Sequence, residues 1–445
     1  MILEILAVAL PCAATWAVGT GPIGAPAGPL DSLSIAQCIE MARANAPDVM
    51  AAAADLQAAR YDSSAAMLNS LPTASLFGSV MIAPRGFYDP TLTDLGQYEF
   101  KAGVTVPLLD SGAAARERAR AANEAALATL RMRSISREAG LLAGKLAVEA
   151  LTRLERERFE TESLAWIEDF ARIIASRVRA GVSAPSDSMR INIERDMVAA
   201  SLDSTRTGLH VARRELASLL GLSVEALPPI RESMSLEDLG PTTADSLALV
   251  SRVVRHPDVA IAQAEEAQAR LDVAELRHQD DLHVGLSGDA GIAGTDLTTW
   301  TPVDLRAEEP NPTFDDRLRR DLGVSATIDF RRGLVDPTRG PAIAARRSAE
   351  KAAHLRSSNA LNAQERAALD ILDRWRAAVR GLLTTRSIVE RSELNLLRTK
   401  SLYIAGSAGM LDILDARRTL DDAHERLVDA RSLSRTARIE AETLP

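Results

Sequence analysis

The chain has 445 residues with a net charge of −9, and 46% of its residues are hydrophobic. This length and composition can build a sizeable core, although only 3% of the residues are aromatic. The charges of both signs are mixed, and no block of basic residues indicates nucleic-acid binding. The two cysteines, Cys12 and Cys38, cannot form a disulfide framework, and Cys38 is expected to be a small buried residue.

Residues 1–30 are predicted to be a signal peptide and leader. Met1 to Val18 is almost wholly apolar, and Ala25-Pro26-Ala27 offers a small-x-small cleavage site. Glu4 stands where a basic start is expected, and Leu10-Pro11-Cys12 leaves a lipoprotein signal open. No later run reaches the ~18 apolar residues of a membrane helix, so any membrane span must be built from strands.

The rest of the chain is an internal repeat. Ala46-Pro47-Asp48-Val49 matches His256-Pro257-Asp258-Val259, and Arg179-Ala180-Gly181 followed by Asp187 matches Ile404-Ala405-Gly406 followed by Asp412. We therefore predict two repeats, residues 31–225 and 243–445. The segment between them, 226–242, is rich in proline and glycine and is predicted to be a linker.

Each repeat has the same predicted order of elements: a helix, two strands, a long helix and a return helix. The helices are expected at 34–70, 111–179 and 186–220 in the first repeat, and at 245–279, 342–404 and 410–442 in the second. At ~1.5 Å per residue the long helices would span about 100 Å. Helices of this length cannot bury themselves in a globule, which indicates coiled-coil packing in an α+β, mainly α fold.

The strands are predicted at about 73–82, 97–107, 282–292 and 318–330. Apolar and polar residues alternate in them, as with Tyr98, Phe100, Ala102 and Val104. This pattern is typical of transmembrane strands, but also of an antiparallel sheet with one wet face. Four strands cannot close a barrel, so a membrane location would require several chains to share one. The loops 83–96 and 293–316 would then lie opposite the long helices.

Several motifs occur in the same order in this chain and in a known family. They are Leu33-Ser34-Ile35-Ala36, Asn45-Ala46-Pro47, Val106-Pro107-Leu108-Leu109-Asp110-Ser111-Gly112, Ile328-Asp329-Phe330-Arg331-Arg332-Gly333, Tyr403-Ile404-Ala405-Gly406 and Leu411-Asp412-Ile413-Leu414-Asp415-Ala416. On these residues the chain resembles the outer membrane efflux protein family, whose best-known member is TolC. The resemblance implies two tandem structural repeats, a periplasmic α-barrel of long coiled-coil helices, and four strands per chain in a transmembrane β-barrel shared by a homotrimer.

The resemblance also implies a gate at the helical tips. Asp412 and Asp415 match the aspartates that ring the narrowest opening, while Asp187 and Tyr403 match the latch. Residues three apart lie on one helix face, and rings of carboxylates attract cations. Without the resemblance, the aspartates would be read as solvated charges or helix N-terminal acids, and Tyr403 as a packing aromatic.

Two positions depart from the family pattern at this gate. Ala408 lies where a basic gate residue is common, and Val178 stands in the first repeat where Tyr403 stands in the second. The latch is therefore expected to be weaker or to use other pairs, for which Arg177, Arg179 and Arg190 are available.

The function implied is an outer membrane channel subunit of a tripartite efflux or type I secretion system, working as a passive conduit. Its partners would be itself, outer-membrane lipid, an inner-membrane pump and a periplasmic adaptor docking at the tips near Gly181 and Gly406. No catalytic residues, metal or cofactor are expected, because the six histidines are scattered and His278 and His283 suit no shared metal. The alternative is a periplasmic coiled-coil scaffold or adaptor protein.

Overall fold

The structure, a computed structural model, describes residues 32–69, 71–82, 95–231, 241, 251–278, 282–296, 322–331 and 337–444. The predicted leader and most of the two predicted loops lie outside these residues. The helices are α1 Ile35–Asn45, α2 Pro47–Leu68, α3 Ala113–Arg179, α4 Pro185–Leu219, α5 Pro257–His278, α6 Arg339–Ile404 and α7 Met410–Glu442. The strands are β1 Leu33–Ser34, β2 Thr73–Ile82, β3 Leu95–Leu109, β4 Ile230–Arg231, β5 His283–Asp296 and β6 Leu322–Arg331. The predicted order of elements in both repeats is confirmed.

The expectation of one helix over 34–70 was wrong, because the chain breaks at Ala46. Ala46 has an extended backbone, with φ −59° and ψ 137°, since a residue that precedes proline is pushed out of the α region. His256 before Pro257 repeats this geometry in the second half, with φ −60° and ψ 133°. At the start of α1, Ser34 and Gln37 bond reciprocally to each other's backbone amides, so this end is well defined.

Two further sequence expectations need correction. Part of the predicted linker is structured, because Ile230–Arg231 forms β4 and pairs in parallel with β1. Strand β5 continues to Asp296, beyond the predicted end at 292, so the second loop begins later than expected. Of the strand expected at 318–330, residues 318–321 lie outside the described part of the chain, and β6 ends at Arg331.

The α-helices in the described part of the chain pack side by side rather than around one globular core. Below the sheet, α2, α3, α5 and α6 follow one another in contact, and towards the far end the order is α4, α3, α7, α6. Helices α3 and α6 run through both levels, with 67 and 66 residues. This arrangement leaves α4 and α6 at the two ends of the lower row. Within the described residues, none of the helices has the length and apolar character needed to cross a membrane.

Small residues let the helices approach closely in the middle of the molecule. A Cβ added at Gly144 of α3 would lie 2.8 Å from Cγ2 of Ile439, so a larger residue there would force α3 and α7 apart. Cys38 belongs to the same core and is fully buried, and burial raises the pKa of its thiol to about 11. This agrees with the expectation that Cys38 is a small packing residue.

The four longer strands form one antiparallel sheet in the order β2-β3-β5-β6. The register places residues of like polarity beside each other, so Leu76 pairs with Ala102 and Ala102 pairs with Ala290. One face therefore carries Ala74, Leu76, Gly78, Val80, Phe100, Ala102, Val104, Val106, Val284, Leu286, Gly288, Ala290 and Ile328. The opposite face carries Thr73, Ser75, Phe77, Ser79, Glu99, Lys101, Gly103, Thr105, His283, Gly285, Ser287, Asp289, Gly291 and Thr327. Phe77 is the single large apolar side chain among these residues of the polar face.

Candidate functional site

The candidate site is the pair of helical tips at the end of the molecule away from the sheet. Helix α3 turns into α4 at Gly181, and α6 turns into α7 at Gly406, with φ of 73° and 81°. In both turns the glycine amide and the next amide bond back to carbonyls of the last helical turn, for example Val182 N to Arg177 O at 2.9 Å. Only glycine adopts this left-handed conformation without strain, which explains why both repeats use it here.

Tyr403 lies inside the bundle close to these turns and is only 5% exposed. Its ring packs against Phe170, with 5.7 Å between the ring centroids, and the guanidinium of Arg177 lies 4.8 Å above it. Its hydroxyl oxygen is 3.5 Å from Ser183 Oγ, which accepts a bond from Arg177 Nε at 3.3 Å. Arg177 and Ser183 therefore link the first tip to Tyr403 of the second.

Asp187 is not brought onto Tyr403 within one chain. It is the third residue of α4, is partly exposed, and its carboxylate has no hydrogen-bond or ion-pair partner in the described part of the chain. Ser183 occupies the place beside the Tyr403 hydroxyl instead. Sequence analysis missed Ser183, although its position two residues after Gly181 places it inside the turn.

Asp412 and Asp415 are both exposed on the first turns of α7, one turn apart. Asp412 accepts a hydrogen bond from the Gly409 amide at 2.7 Å, so it also stabilises the helix start. Asp415 lies near Arg418 and contributes to raising the pKa of this guanidinium, after the larger effect of the bonds to Glu194. The two carboxylates therefore share one side of the second tip.

A second link between the tips is the ion pair of Arg418 on α7 with Glu194 on α4. It is bidentate, with Nε–Oε1 and Nη2–Oε2 distances of 3.2 and 2.8 Å. The Glu194 side chain is 10% exposed and that of Arg418 is 57% exposed. Sequence analysis assigned neither residue, because the two lie 224 positions apart and only the fold brings them together.

Apolar packing holds the same region from inside. The tip core contains Ile167, Phe170, Ile174, Ile191, Tyr403, Met410, Ile413 and Leu414, and Ala408 packs at its margin. Above it, the buried Arg417 places its guanidinium 5.0 Å from the centroid of the Trp166 ring and pairs with Asp421. The packed tips thus bury both apolar surface and paired charges.

Both the sequence and the fold of this chain are similar to those of known proteins. Residues 38–222 match the family model described as outer membrane efflux protein. A search of curated proteins finds no match. Three solved structures share the fold: the Vibrio cholerae outer membrane protein VceC (TM-score 0.72, 16% identity, 92% of this chain and 95% of that chain), a Pseudomonas aeruginosa membrane protein (0.69, 16%, 92% and 93%) and the Campylobacter jejuni CmeC outer membrane channel (0.71, 11%, 92% and 85%).

At sequence identities of 11% to 16%, the similarity to these solved structures establishes the fold alone. The sequence similarity to the family is the match of residues 38–222 to its model. The first repeat carries the family's sequence pattern, and both repeats together have the architecture of TolC-like outer membrane channels. Residues 38–222 thus match the outer membrane efflux protein family in sequence, and the chain as a whole shares the fold of outer membrane channels.

Proposed function

We propose that the chain is the outer membrane channel subunit of a tripartite efflux or type I secretion system. Three copies would close one tube, through which cargo passes without chemistry by this protein. The observation that carries the proposal is a pair of exposed apolar stripes at the two ends of the lower helical row. An exposed apolar surface at both ends of the helical row is what a closed ring of copies requires.

The first stripe lies on α4 and consists of Met189, Ile193 and Met197, which are 72%, 60% and 60% exposed. Their spacing of four residues places them on one face. The second stripe lies on α6 and consists of Leu394, Leu397 and Ile404, which are 67%, 63% and 63% exposed. Both stripes lie within about 20 Å of the tips, at ~1.5 Å per residue, so they match in height. In one chain α3 and α7 lie between them.

The sheet supports the same arrangement. Among the described residues, β2 and β6 each pair on one side only, which leaves two edges open to neighbouring copies. Four strands from each of three chains would give twelve, with the apolar face towards lipid and the polar face towards the lumen. A coiled-coil scaffold, the alternative reading, gives no reason for a sheet with one apolar face continued across four strands.

Cross-linking tests the ring directly. The variant Ile193→Cys with Leu397→Cys, treated with a short thiol cross-linker in native membranes, should give covalent dimers and trimers and nothing larger. A bond within one chain is excluded by the intervening α3 and α7. Ile193→Cys with Leu433→Cys is the matched control, because Leu433 is 63% exposed but lies on α7. Monomers alone, or a ladder beyond three chains, would contradict the proposal.

The tips are the proposed gate. In a trimer, Asp412 and Asp415 would form two carboxylate rings one turn apart, which hold cations in a narrow pore. Asp187, whose carboxylate is unpaired in the described chain, is available to a neighbouring subunit, and Tyr403 keeps the second tip packed inwards. The turns at Gly181 and Gly406 are the proposed docking points of the periplasmic adaptor, and the inner-membrane pump supplies the energy.

Bilayer recordings test the rings. Asp412→Ala combined with Asp415→Ala should strongly reduce block of the pore by multivalent cations, because the carboxylates that hold the cation are removed. Asp196→Asn, an exposed acid on α4, is the control for the charge change. Unchanged block in the double variant would remove these two residues from the pore assignment.

A further inference from the structure

A small cavity of about 150 Å³ lies between α3, α4 and α7, above the tip core. It is lined in part by Glu160 and Ser163 of α3, Ser201 of α4 and Asp421 of α7. Its lining comes from both hairpins, α3–α4 and α6–α7, next to the tip core in which they pack together. The gate described above uses none of these four side chains.

Glu160 is the lining residue of this cavity whose charge is least compensated. It is only 8% exposed, and its Oε1 accepts a hydrogen bond from Ser201 Oγ at 2.6 Å. Its Oε2 is buried and has no hydrogen-bond partner, and no arginine, lysine or histidine of the described chain pairs with the carboxylate. A buried carboxylate without a compensating cation has an unfavourable desolvation free energy. A cation bound to this oxygen would offset that free energy.

Two more groups face the same space. Ser163 is 2% exposed, and its buried Oγ has no hydrogen-bond partner. Asp421 Oδ1 is buried and lies 2.8 Å from Arg417 Nη2, and burial raises the pKa of this carboxyl group. The remaining charged groups around the cavity are Arg156, Asp422 and Glu425, of which Arg156 and Glu425 pair at 3.4 Å.

We propose that this cavity is a binding site for a hard divalent cation, Ca²⁺, held by Glu160, Ser163 and Asp421 together with water. Ca²⁺ takes six to eight oxygen ligands in flexible geometry, and carboxylate, hydroxyl and water oxygens are the ligands available here. At ~30 Å³ per water molecule, the cavity has room for the ion and a few waters.

The ligand set also defines what the site does not hold. Only two of the proposed ligands are carboxylates, so the site differs from the clusters of three or more His, Cys, Asp or Glu side chains that could hold a metal ion, none of which occurs within the described residues. The proposed site is built from two carboxylates, hydroxyls and water, which suits Ca²⁺ rather than zinc or copper. With so few charged ligands, we expect a Kd of roughly 10⁻⁴ to 10⁻³ M, the range of weak extracellular calcium sites.

Bound Ca²⁺ would tie the first hairpin to the second, because its ligands come from α3 and α7. This goes beyond conduction and does not depend on it, so the test uses binding and stability of the purified protein alone. The full-length protein is extracted in detergent, treated with a chelator, and titrated with Ca²⁺ by calorimetry. We expect one ion per chain in the wild type.

Three variants separate this site from calcium binding at the surface. Glu160→Gln keeps the bond with Ser201 but removes the charge, and should weaken the affinity at least tenfold. Ser163→Ala should weaken it less, while raising the melting temperature without Ca²⁺, because an unpaired buried hydroxyl is removed. Glu168→Gln is the control, since Glu168 lies on the exposed face of α3 and makes the same charge change.

The expected thermal result is a Ca²⁺-dependent rise in melting temperature in the wild type and in Glu168→Gln, and a much smaller rise in Glu160→Gln. An equal rise in all variants would mean adventitious binding elsewhere and would overturn the proposal. The absence of any rise and of any heat of binding in the wild type would also overturn it. If Glu160→Gln fails to fold, the Ca²⁺ affinity of Ser163→Ala is compared with that of Glu168→Gln. A weaker affinity of Ser163→Ala would support the proposal, and an equal affinity would overturn it.

Discussion

The two helical tips have the same backbone but different side chains. In both, a glycine with positive φ ends the long helix, and an aspartate is the third residue of the return helix. The first tip contributes Arg177 and Ser183, while the second contributes Tyr403, and these three side chains meet. Duplication thus preserved the turn, and divergence made the two copies complementary to each other rather than alike.

This complementarity extends along the return helices. The position of Arg190 in the first repeat corresponds to that of Asp415 in the second, so one tip carries a base where the other carries an acid. Glu194 of the first return helix pairs with Arg418 of the second. In the proposed ring of three chains, first and second tips would alternate, so each contact between tips would join unlike surfaces. We infer that the stability of the packed tips comes from differences between the repeats.

The largest effect is expected at the aromatic position where the repeats differ. Tyr403→Ala should destabilise the protein by about 3 kcal/mol, because it leaves a cavity between Phe170 and Arg177. Val178→Ala at the corresponding position of the first tip should cost about 1 kcal/mol, because Val178 is smaller and only partly buried. Urea unfolding of the detergent-extracted protein measures both. Equal losses would mean that the tips are energetically alike.

The turns, and the repeats that contain them, could be predicted from the sequence because their causes are local. Gly181 and Gly406 end helices through their backbone conformation, and Pro47 and Pro185 begin helices at the first position. The break at Ala46 was also encoded locally, by the proline that follows it, but the strong apolar periodicity on both sides concealed it.

The contacts between the tips could not be predicted, because they join residues 220 or more positions apart. The resemblance pointed to Asp187 as the partner of Tyr403, whereas within one chain Ser183 lies beside the hydroxyl. Which of several polar residues faces a given ring depends on how the two hairpins rotate against each other. That rotation follows from packing of the whole tip core and leaves no short sequence signal.

The next effect concerns the ion pair that crosses between the repeats. Arg418→Ala should cost about 2 kcal/mol, because it leaves the buried carboxylate of Glu194 without its cation. Adding Glu194→Gln should restore much of the loss, and this coupling is measured by a double-mutant cycle. Arg195→Ala is the control, because its pair with Asp196 is exposed and such pairs contribute about 0–1 kcal/mol. Additive losses would show that the pair contributes no coupling free energy to the stability of the tips.

A smaller effect should separate the two aspartates at equivalent helix positions. Asp412→Ala removes the bond to the Gly409 amide and should cost about 1 kcal/mol. Asp187→Ala removes only a favourable charge near a helix N-terminus and should cost about 0.5 kcal/mol or less. Urea midpoints of the two variants test this order. A larger loss for Asp187→Ala would show that its carboxylate has a partner in the assembled protein.

The last comparison concerns the residue before the proline that begins α2 and α5. Ala46 and His256 occupy equivalent positions and are both 1% exposed. Burial, assisted by the nearby Arg137 guanidinium, lowers the pKa of His256, while Asp258 opposes this shift. The unfolded chain therefore binds a proton that the folded chain does not. Above the usual histidine pKa of about 6.5, His256 is neutral in both states and does not lower the free energy of unfolding. As the pH falls below about 6.5, the unfolded chain takes up a proton first, and the free energy of unfolding decreases.

The variant His256→Ala, which copies the first repeat, should remove this loss. Between pH 7 and 5 the wild type should lose stability with a slope of up to about 1.4 kcal/mol per pH unit from this one proton, and the variant should lose less. Because alanine leaves a smaller side chain in the core, the variant is expected to be less stable at pH 7, so the slope rather than the absolute value is decisive. Thermal unfolding at several pH values gives that slope. Parallel pH curves for the two proteins would mean that the pKa of His256 is the same in the folded and the unfolded chain. Burial of this position would then contribute no pH dependence to stability in the second repeat, just as Ala46 contributes none in the first.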